Sequence, residues 1–104
     1  MSKSISVQQA AELQKNGALM VDVRELDEFN AVSAPGALLV PLSQIQRDGL
    51  SAFNAAGIDP HTVGLLIICR SGGRSGMVCD ALGETAINVE GGMLAWQAAG
   101  LPVN

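Results

Sequence analysis

The sequence predicts an α/β domain with a mostly parallel sheet of about five strands and helices on both faces. Short apolar runs alternate with amphipathic stretches along the chain, the pattern of strands and the helices that cover them. The run from Val63 to Ile68 has a continuous Leu65-Leu66-Ile67-Ile68 core, as in a strand buried on both faces in the middle of a parallel sheet. The length of 104 residues suits one domain over residues 1–104. With 48% hydrophobic and 15% charged residues, the chain can bury a core and does not read as disordered.

Ser6 and Gln9 have the spacing of a capping box, so a helix opens there with Val7, Ala10, Leu13 and Gln14 on its turns, and Asn16-Gly17 closes it. Leu19 to Val23 reads as a strand, apolar on both faces until Asp22. Arg24 to Asn30 reads as a short helix with Leu26 and Phe29 inward and acids at 25, 27 and 28 near its positive end. Ala37 to Val40 is another apolar run, stopped by Pro41, and residues 42–56 divide into two short helical pieces at Asp48-Gly49. Asp59-Pro60 turns the chain into the central strand. The helix expected beyond Gly76 carries Met77, Val78, Ala81 and Leu82 on its inner face, and Ala86 to Val89 is the last strand. Gly91-Gly92 opens a final helix holding Met93 and Trp96, capped by Gly100 and ended by Pro102.

Several function classes are excluded. Six Lys+Arg against ten Asp+Glu leave a formal charge of −4, which denies the chain the basic face that nucleic acid requires. The longest apolar run, Val63 to Cys69, falls far short of the roughly 20 residues of a membrane helix. Met1-Ser2-Lys3-Ser4 leads into Gln8-Gln9 without the apolar stretch of a secretory signal. Two cysteines and one histidine cannot fill a four-ligand zinc site, so neither metal nor cofactor is expected. They also make a poor disulfide framework, and a reduced, cytoplasmic protein is the expectation.

The chemistry is expected where the central strand meets the next helix, because ligands of open parallel sheets bind beyond the carboxyl ends of the strands. Cys69 stands at that end. The following Arg70-Ser71-Gly72-Gly73-Arg74-Ser75 can turn backbone N–H groups inward and feed a helix N-terminus, which makes an anion cradle and favours a thiolate. Two of the chain's four arginines, Arg70 and Arg74, fall in this loop. A phosphate-binding P-loop is excluded because no Gly-Lys-Ser/Thr follows the glycines. His61 lies eight residues before Cys69 at the other end of the same strand. At about 3.3 Å per residue the two are more than about 20 Å apart, so His61 cannot be the base for Cys69 and reads as a turn histidine. Dipole and arginine charge must then activate the thiol.

Other residues receive structural readings. Asp22 and Arg24 at a strand end are candidates for shaping the site, with an ion pair bracing strand and helix the favoured reading. Cys79 reads as a small core residue on the border of its helix's apolar stripe, with a resolving thiol as the alternative. Trp96 reads as a core anchor, Met77 and Met93 as core fillers.

The motifs together resemble the single-domain rhodaneses, the sulfurtransferase family. Asp22-Val23-Arg24-Glu25 with Glu28-Phe29 resembles the family's first block, and Ala34-Pro35-Gly36-Ala37 leading to Val40-Pro41 its second. Cys69-Arg70-Ser71-Gly72-Gly73-Arg74-Ser75 resembles the active-site loop, and Gly91-Gly92-Met93-Leu94-Ala95-Trp96 with Gly100-Leu101-Pro102-Val103 the C-terminal block. Ser33-Ala34 stands where the family usually has His-Ile, which reads as a change of packing. The resemblance implies a rhodanese-like three-layer domain. It implies a Cys69 persulfide, formed from thiosulfate or a persulfide or polysulfide donor and discharged to cyanide, a small thiol or a protein sulfur acceptor. Cys69 would be the catalytic nucleophile. The N–H groups of residues 70–75 would hold the terminal sulfur, and Arg70 and Arg74 would attract the donor's anionic end. A sulfur-relay or interaction module with little turnover is the alternative. The fold also resembles cell-division-cycle dual-specificity phosphatases and arsenate reductases. Phosphatases of that branch place five residues between cysteine and arginine, against four between Cys69 and Arg74 here. The shorter loop is expected to suit a sulfur atom better than a phosphoryl group.

Overall fold

Ser6 accepts the Gln9 backbone N–H at 3.1 Å while the Gln9 side chain accepts that of Ser6 at 2.9 Å, so the capping box sets the first helix. The computed structural model describes residues 3–104; Met1 and Ser2, part of the stretch weighed above as a signal, lie outside them. The described elements run β1 (Lys3–Ile5), α1 (Val7–Lys15), β2 (Met20–Asp22), α2 (Leu26–Ala31), β3 (Leu38–Leu39), α3 (Leu42–Asp48), α4 (Ser51–Ala55), β4 (Leu65–Ile68), α5 (Gly73–Leu82), β5 (Ala86–Val89) and α6 (Gly92–Ala98). Among the described residues no helix is long and apolar enough to cross a membrane.

The sheet has five strands in the order β1-β5-β4-β2-β3, and every neighbouring pair is parallel. β4 lies at its centre, with all four residues, Leu65 to Ile68, fully buried. Leu65 and Ile67 point to the layer of α3, α4 and α5, against Phe53, Val78 and Leu82. Leu66 and Ile68 point to the layer of α1 and α6, against Ala10, Met93 and Trp96. Each such side chain contributes about 1.5–3 kcal/mol of hydrophobic stabilisation. Trp96 is buried in the second layer and its indole N–H donates to the Pro102 carbonyl at 2.8 Å, which ties the C-terminal segment to α6.

Three local expectations need correction. The edge strand β1 has no counterpart in the element-by-element reading, because Lys3-Ser4-Ile5 offers one apolar residue and is ordered by pairing with β5. The helix α5 begins at Gly73, inside the stretch expected to be loop, and its buried residues are Ser75, Val78, Cys79 and Leu82. Met77 is 57% exposed and Ala81 is also exposed, because the helix is rotated to point Ser75 at Cys69 and Cys79 follows one turn later. Leu26 is likewise exposed: Glu25 bonds Ser43 through its carboxylate and Glu28 through its N–H, which turns the first residue of α2 to solvent.

At the carboxyl end of β2, Asp22 and Arg24 are both buried and pair with each other. Arg24 Nη2 donates to Asp22 Oδ2 at 2.7 Å and to the Val32 carbonyl at 2.7 Å, while its Nε donates to both carboxylate oxygens at 3.0 and 3.1 Å. The pair fastens the chain leaving β2 to the end of α2. Losing one partner strands a buried charge, so Arg24→Leu is expected to cost about 3–5 kcal/mol in urea unfolding, and adding Asp22→Asn should restore a substantial part of it. A double variant no more stable than Arg24→Leu would show that the pair's worth lies in packing alone.

Candidate active site

Chain order reverses across the sheet between β2 and β4. From β2 the chain steps outward to β3, and from β4 it steps the other way to β5. The crevice beyond the carboxyl ends of β2 and β4 is therefore the topological switch point, where open parallel sheets bind ligands. Cys69 follows β4 directly into this crevice.

The peptide groups after β4 are sorted by direction. The carbonyl of Cys69 accepts the Met93 N–H at 2.8 Å and that of Arg70 accepts the Leu94 N–H at 3.0 Å, so both turn back onto the start of α6. That close approach requires Gly92, at φ +57: a Cβ there would collide with the Cys69 carbonyl oxygen and lie 2.6 Å from the Arg70 carbonyl. Gly91-Gly92 thus both opens a helix and seats the loop behind the thiol. Gly72, at φ +106, then turns the chain into α5.

With the carbonyls behind, the N–H groups face Sγ. The Gly72 N–H donates to Cys69 Sγ at 3.1 Å, and Ser75 Oγ lies 3.2 Å from it. Burial, the largest single influence, pushes the Cys69 thiol up. The Ser75 hydroxyl and the N–H groups of Ser75, Gly72 and Ser71 together outweigh it, so the thiol lies below its ordinary value. Ser75 Oγ also lies 2.6 Å from Asn88 Oδ1, and Asn88 Nδ2 donates to the Gly72 carbonyl at 3.3 Å.

The two loop arginines have different surroundings. Arg70 is exposed and, among the described residues, makes no ion pair. Arg74, in the first turn of α5, gives Nη1 to Glu28 Oε1 at 2.7 Å and Nη2 to Glu28 Oε2 at 2.9 Å. The Arg74 bond holds the Glu28 carboxyl down at about 2, against partial burial. Glu28 therefore stays ionised throughout the neutral range. Its stabilising effect is full above an ordinary carboxylate's pKa and disappears only as the pH falls toward about 2.

The site thus brings together Cys69, Ser71, Gly72 and Ser75 around one sulfur, with Gly73 starting the helix beneath them and Asp22 and Arg24 joined at the neighbouring strand end. His61 sits exposed in the turn before β4, its backbone N–H on Asp59. Cys79 is buried in the core, and burial pushes its thiol up to about 12. Glu28 and Asn88 escaped the sequence reading as site residues. Asn88 did leave a signal, since it is a polar residue inside the otherwise apolar run Ala86 to Val89.

Comparison with known proteins identifies the family and the fold. The family model described as a rhodanese-like domain matches residues 6–99. A sulfurtransferase of Allochromatium vinosum is 33% identical over 89 residues, covering 82% of this chain and 77% of that protein. The Synechocystis protein slr1261 is 35% identical over 95 residues, covering 86% of this chain; the chain spans about half of that relative's length, 48%. The crystal structure of a rhodanese-related protein from Thermoplasma volcanium superposes with a TM-score of 0.80 at 26% identity, covering 98% of this chain and 97% of that one.

The two thiols should separate chemically. Cys69 is expected to react with iodoacetamide near pH 7 at least tenfold faster than Cys79, because only Cys69 lies below its ordinary pKa in a hydrogen-bonded cradle. Peptide mapping of briefly alkylated folded protein measures this, and equal labelling would refute the difference.

Proposed function

The chain belongs to the rhodanese-like domain family, and from that premise we propose a sulfurtransferase that takes sulfane sulfur from thiosulfate, a persulfide or a polysulfide and passes it on through a Cys69 persulfide. The observation that carries the reading is a buried thiol depressed by backbone N–H groups and a serine hydroxyl, with the only histidine in a distant turn.

In this reading the Cys69 thiolate attacks the outer sulfur of thiosulfate. The new Cys69–sulfur bond forms as the donor's S–S bond breaks, and sulfite leaves with the bonding pair. The N–H groups of Ser71, Gly72 and Ser75 hold the anionic outer sulfur as an oxyanion hole holds oxygen. A thiol, a cyanide ion or a protein acceptor then attacks that sulfur, and the electron pair returns to Cys69. Both cysteines are free, as a reducing, cytoplasmic setting would keep them.

The charge at the mouth favours Arg70 as the donor's guide. Arg74 was expected to share that role, but both of its terminal nitrogens are engaged by Glu28. The same engagement argues against phosphatase chemistry, which would need this arginine on the phosphoryl oxygens.

Incubation with thiosulfate should add one sulfur, about 32 Da, and cyanide should remove it; Cys69→Ser should abolish the adduct and Cys79→Ser should not. A mass unchanged by thiosulfate, persulfide and polysulfide alike would overturn the reading. The arginines should differ in steady-state assays. Arg70→Ala should lower kcat/KM for thiosulfate roughly tenfold, a loss of about 1.4 kcal/mol, with less effect on an uncharged polysulfide. Glu28→Gln should instead raise thiosulfate kcat/KM severalfold by releasing Arg74. Aryl phosphate hydrolysis should stay at background in the unmodified protein.

A further inference from the structure

Four groups close a ring beneath the loop. Gly72 N–H points to Cys69 Sγ at 3.1 Å, Sγ meets Ser75 Oγ at 3.2 Å, Ser75 Oγ meets Asn88 Oδ1 at 2.6 Å, and Asn88 Nδ2 returns to the Gly72 carbonyl at 3.3 Å. The last contact orients the amide, because the reverse orientation would set two carbonyl oxygens against each other. Asn88 Oδ1 is therefore an acceptor facing Ser75. The Ser75 hydroxyl has one hydrogen and two acceptors that want it, the amide oxygen and the sulfur.

We propose that Asn88 is a positioning residue that governs the state of Cys69 through Ser75, by competing with the Cys69 thiolate for the single hydroxyl hydrogen. With the thiol protonated, S–H donates to Ser75 Oγ and Ser75 donates to Asn88, so every hydrogen has an acceptor. When the thiol proton leaves to solvent, Sγ has nothing to donate. The Ser75 hydrogen then rotates from Asn88 to Sγ; no proton is transferred from Ser75. Asn88 Oδ1 is left 2.6 Å from an oxygen that no longer donates to it, so on thiolate formation the Ser75–Sγ bond reverses direction and the Ser75–Asn88 bond is lost. Once Sγ carries a second sulfur the charge lies on the outer atom, and the hydroxyl can return to Asn88. Asn88 thus favours the thiol and the persulfide over the bare thiolate and keeps the thiolate nucleophilic.

The charged groups around the thiol are separate from this ring. Arg74 of α5 is held by Glu28 of α2, Asp22 and Arg24 after β2 hold each other, Arg70 is exposed, and Cys79 lies one turn beyond Ser75. Among the described residues none of their side chains is hydrogen-bonded to the Ser75 hydroxyl or the Asn88 amide.

The proposal rests on Cys69 being the reactive thiol. Its test reads the pH profile of Cys69 alkylation and uses no sulfur donor, so its failure is distinct from failure of sulfur transfer. In the full chain, Asn88→Ala should move the inflection to lower pH and raise the iodoacetamide rate at pH 7 roughly threefold to tenfold. Asn88→Leu, closer in volume, should move it the same way, and either variant decides the matter if the other does not fold. Asn88→Asp, a stronger acceptor, should move it to higher pH. Ser75→Ala should also move it up, and adding Asn88→Ala to Ser75→Ala should change nothing further. If Asn88 only braced the loop through Gly72, Asn88→Ala and Asn88→Leu would raise the inflection by loosening the Gly72 N–H; that result overturns the proposal. An Asn88→Ala effect that survives unchanged without Ser75 overturns it as well.

Discussion

The whole site depends on the way the chain turns after β4, with its carbonyls fastened behind and its N–H groups left in front. A peptide unit carries both, and a loop cannot present one set without finding partners for the other. Here the first two N–H groups of α6 that reach the loop, from Met93 and Leu94, take the carbonyls of Cys69 and Arg70. Only a glycine at position 92 lets the backbones come so close. Gly72 then sends the chain into α5 with its N–H directed at sulfur. Anything that pushed α6 away would rotate these peptides and disperse the donors around Sγ.

Charge is arranged around this turn mostly by cancellation. The chain is acidic overall, yet the crevice holds Arg24 and Arg74, each bound to a carboxylate of its own. Asp22–Arg24 is buried and mechanical, tying β2 to α2. Glu28–Arg74 is half-buried and ties α2 to the first turn of α5, so the helix that begins under the thiol is clamped from the side. What remains near Sγ is the set of fixed dipoles of the N–H groups and a serine hydroxyl, with Arg70 exposed nearby. The N–H donors need no reorganisation when charge develops on sulfur, which is the condition for electrostatic stabilisation there, whereas the hydroxyl has to turn from Asn88 to the sulfur.

The fold class was legible because its signals are local and repeated. The apolar run Leu65 to Ile68 marks a doubly covered strand, and the capping box at Ser6 and the glycine pairs mark element ends; each acts within a few residues. The candidate site was legible for the same reason, since cysteine, arginines, serines and glycines lie in one contiguous stretch. Where the reading slipped, at Met77, Ala81 and Leu26, it took hydrophobicity as the guide to helix rotation. The rotation is set by polar contacts: Ser75 on the sulfur for α5, Glu25 on Ser43 for α2. A helix of six residues, such as α2, has too little apolar surface to overrule them.

By itself the sequence determined an α/β sheet with a fully buried central strand and put a cysteine in a glycine-rich turn at that strand's carboxyl end, because periodicity and turn chemistry are properties of neighbours along the chain. The tertiary structure alone decided which groups meet there. Glu28 reaches Arg74 across 46 positions and Asn88 reaches Ser75 across 13, and β1 became a strand by lying beside β5. Those contacts are made by parallel strands that bring distant segments to one edge of the sheet. No spacing within a segment encodes them, so an arginine that looks free along the chain is already engaged in the folded molecule, and a serine that looks like part of a loop holds one hydrogen between two acceptors.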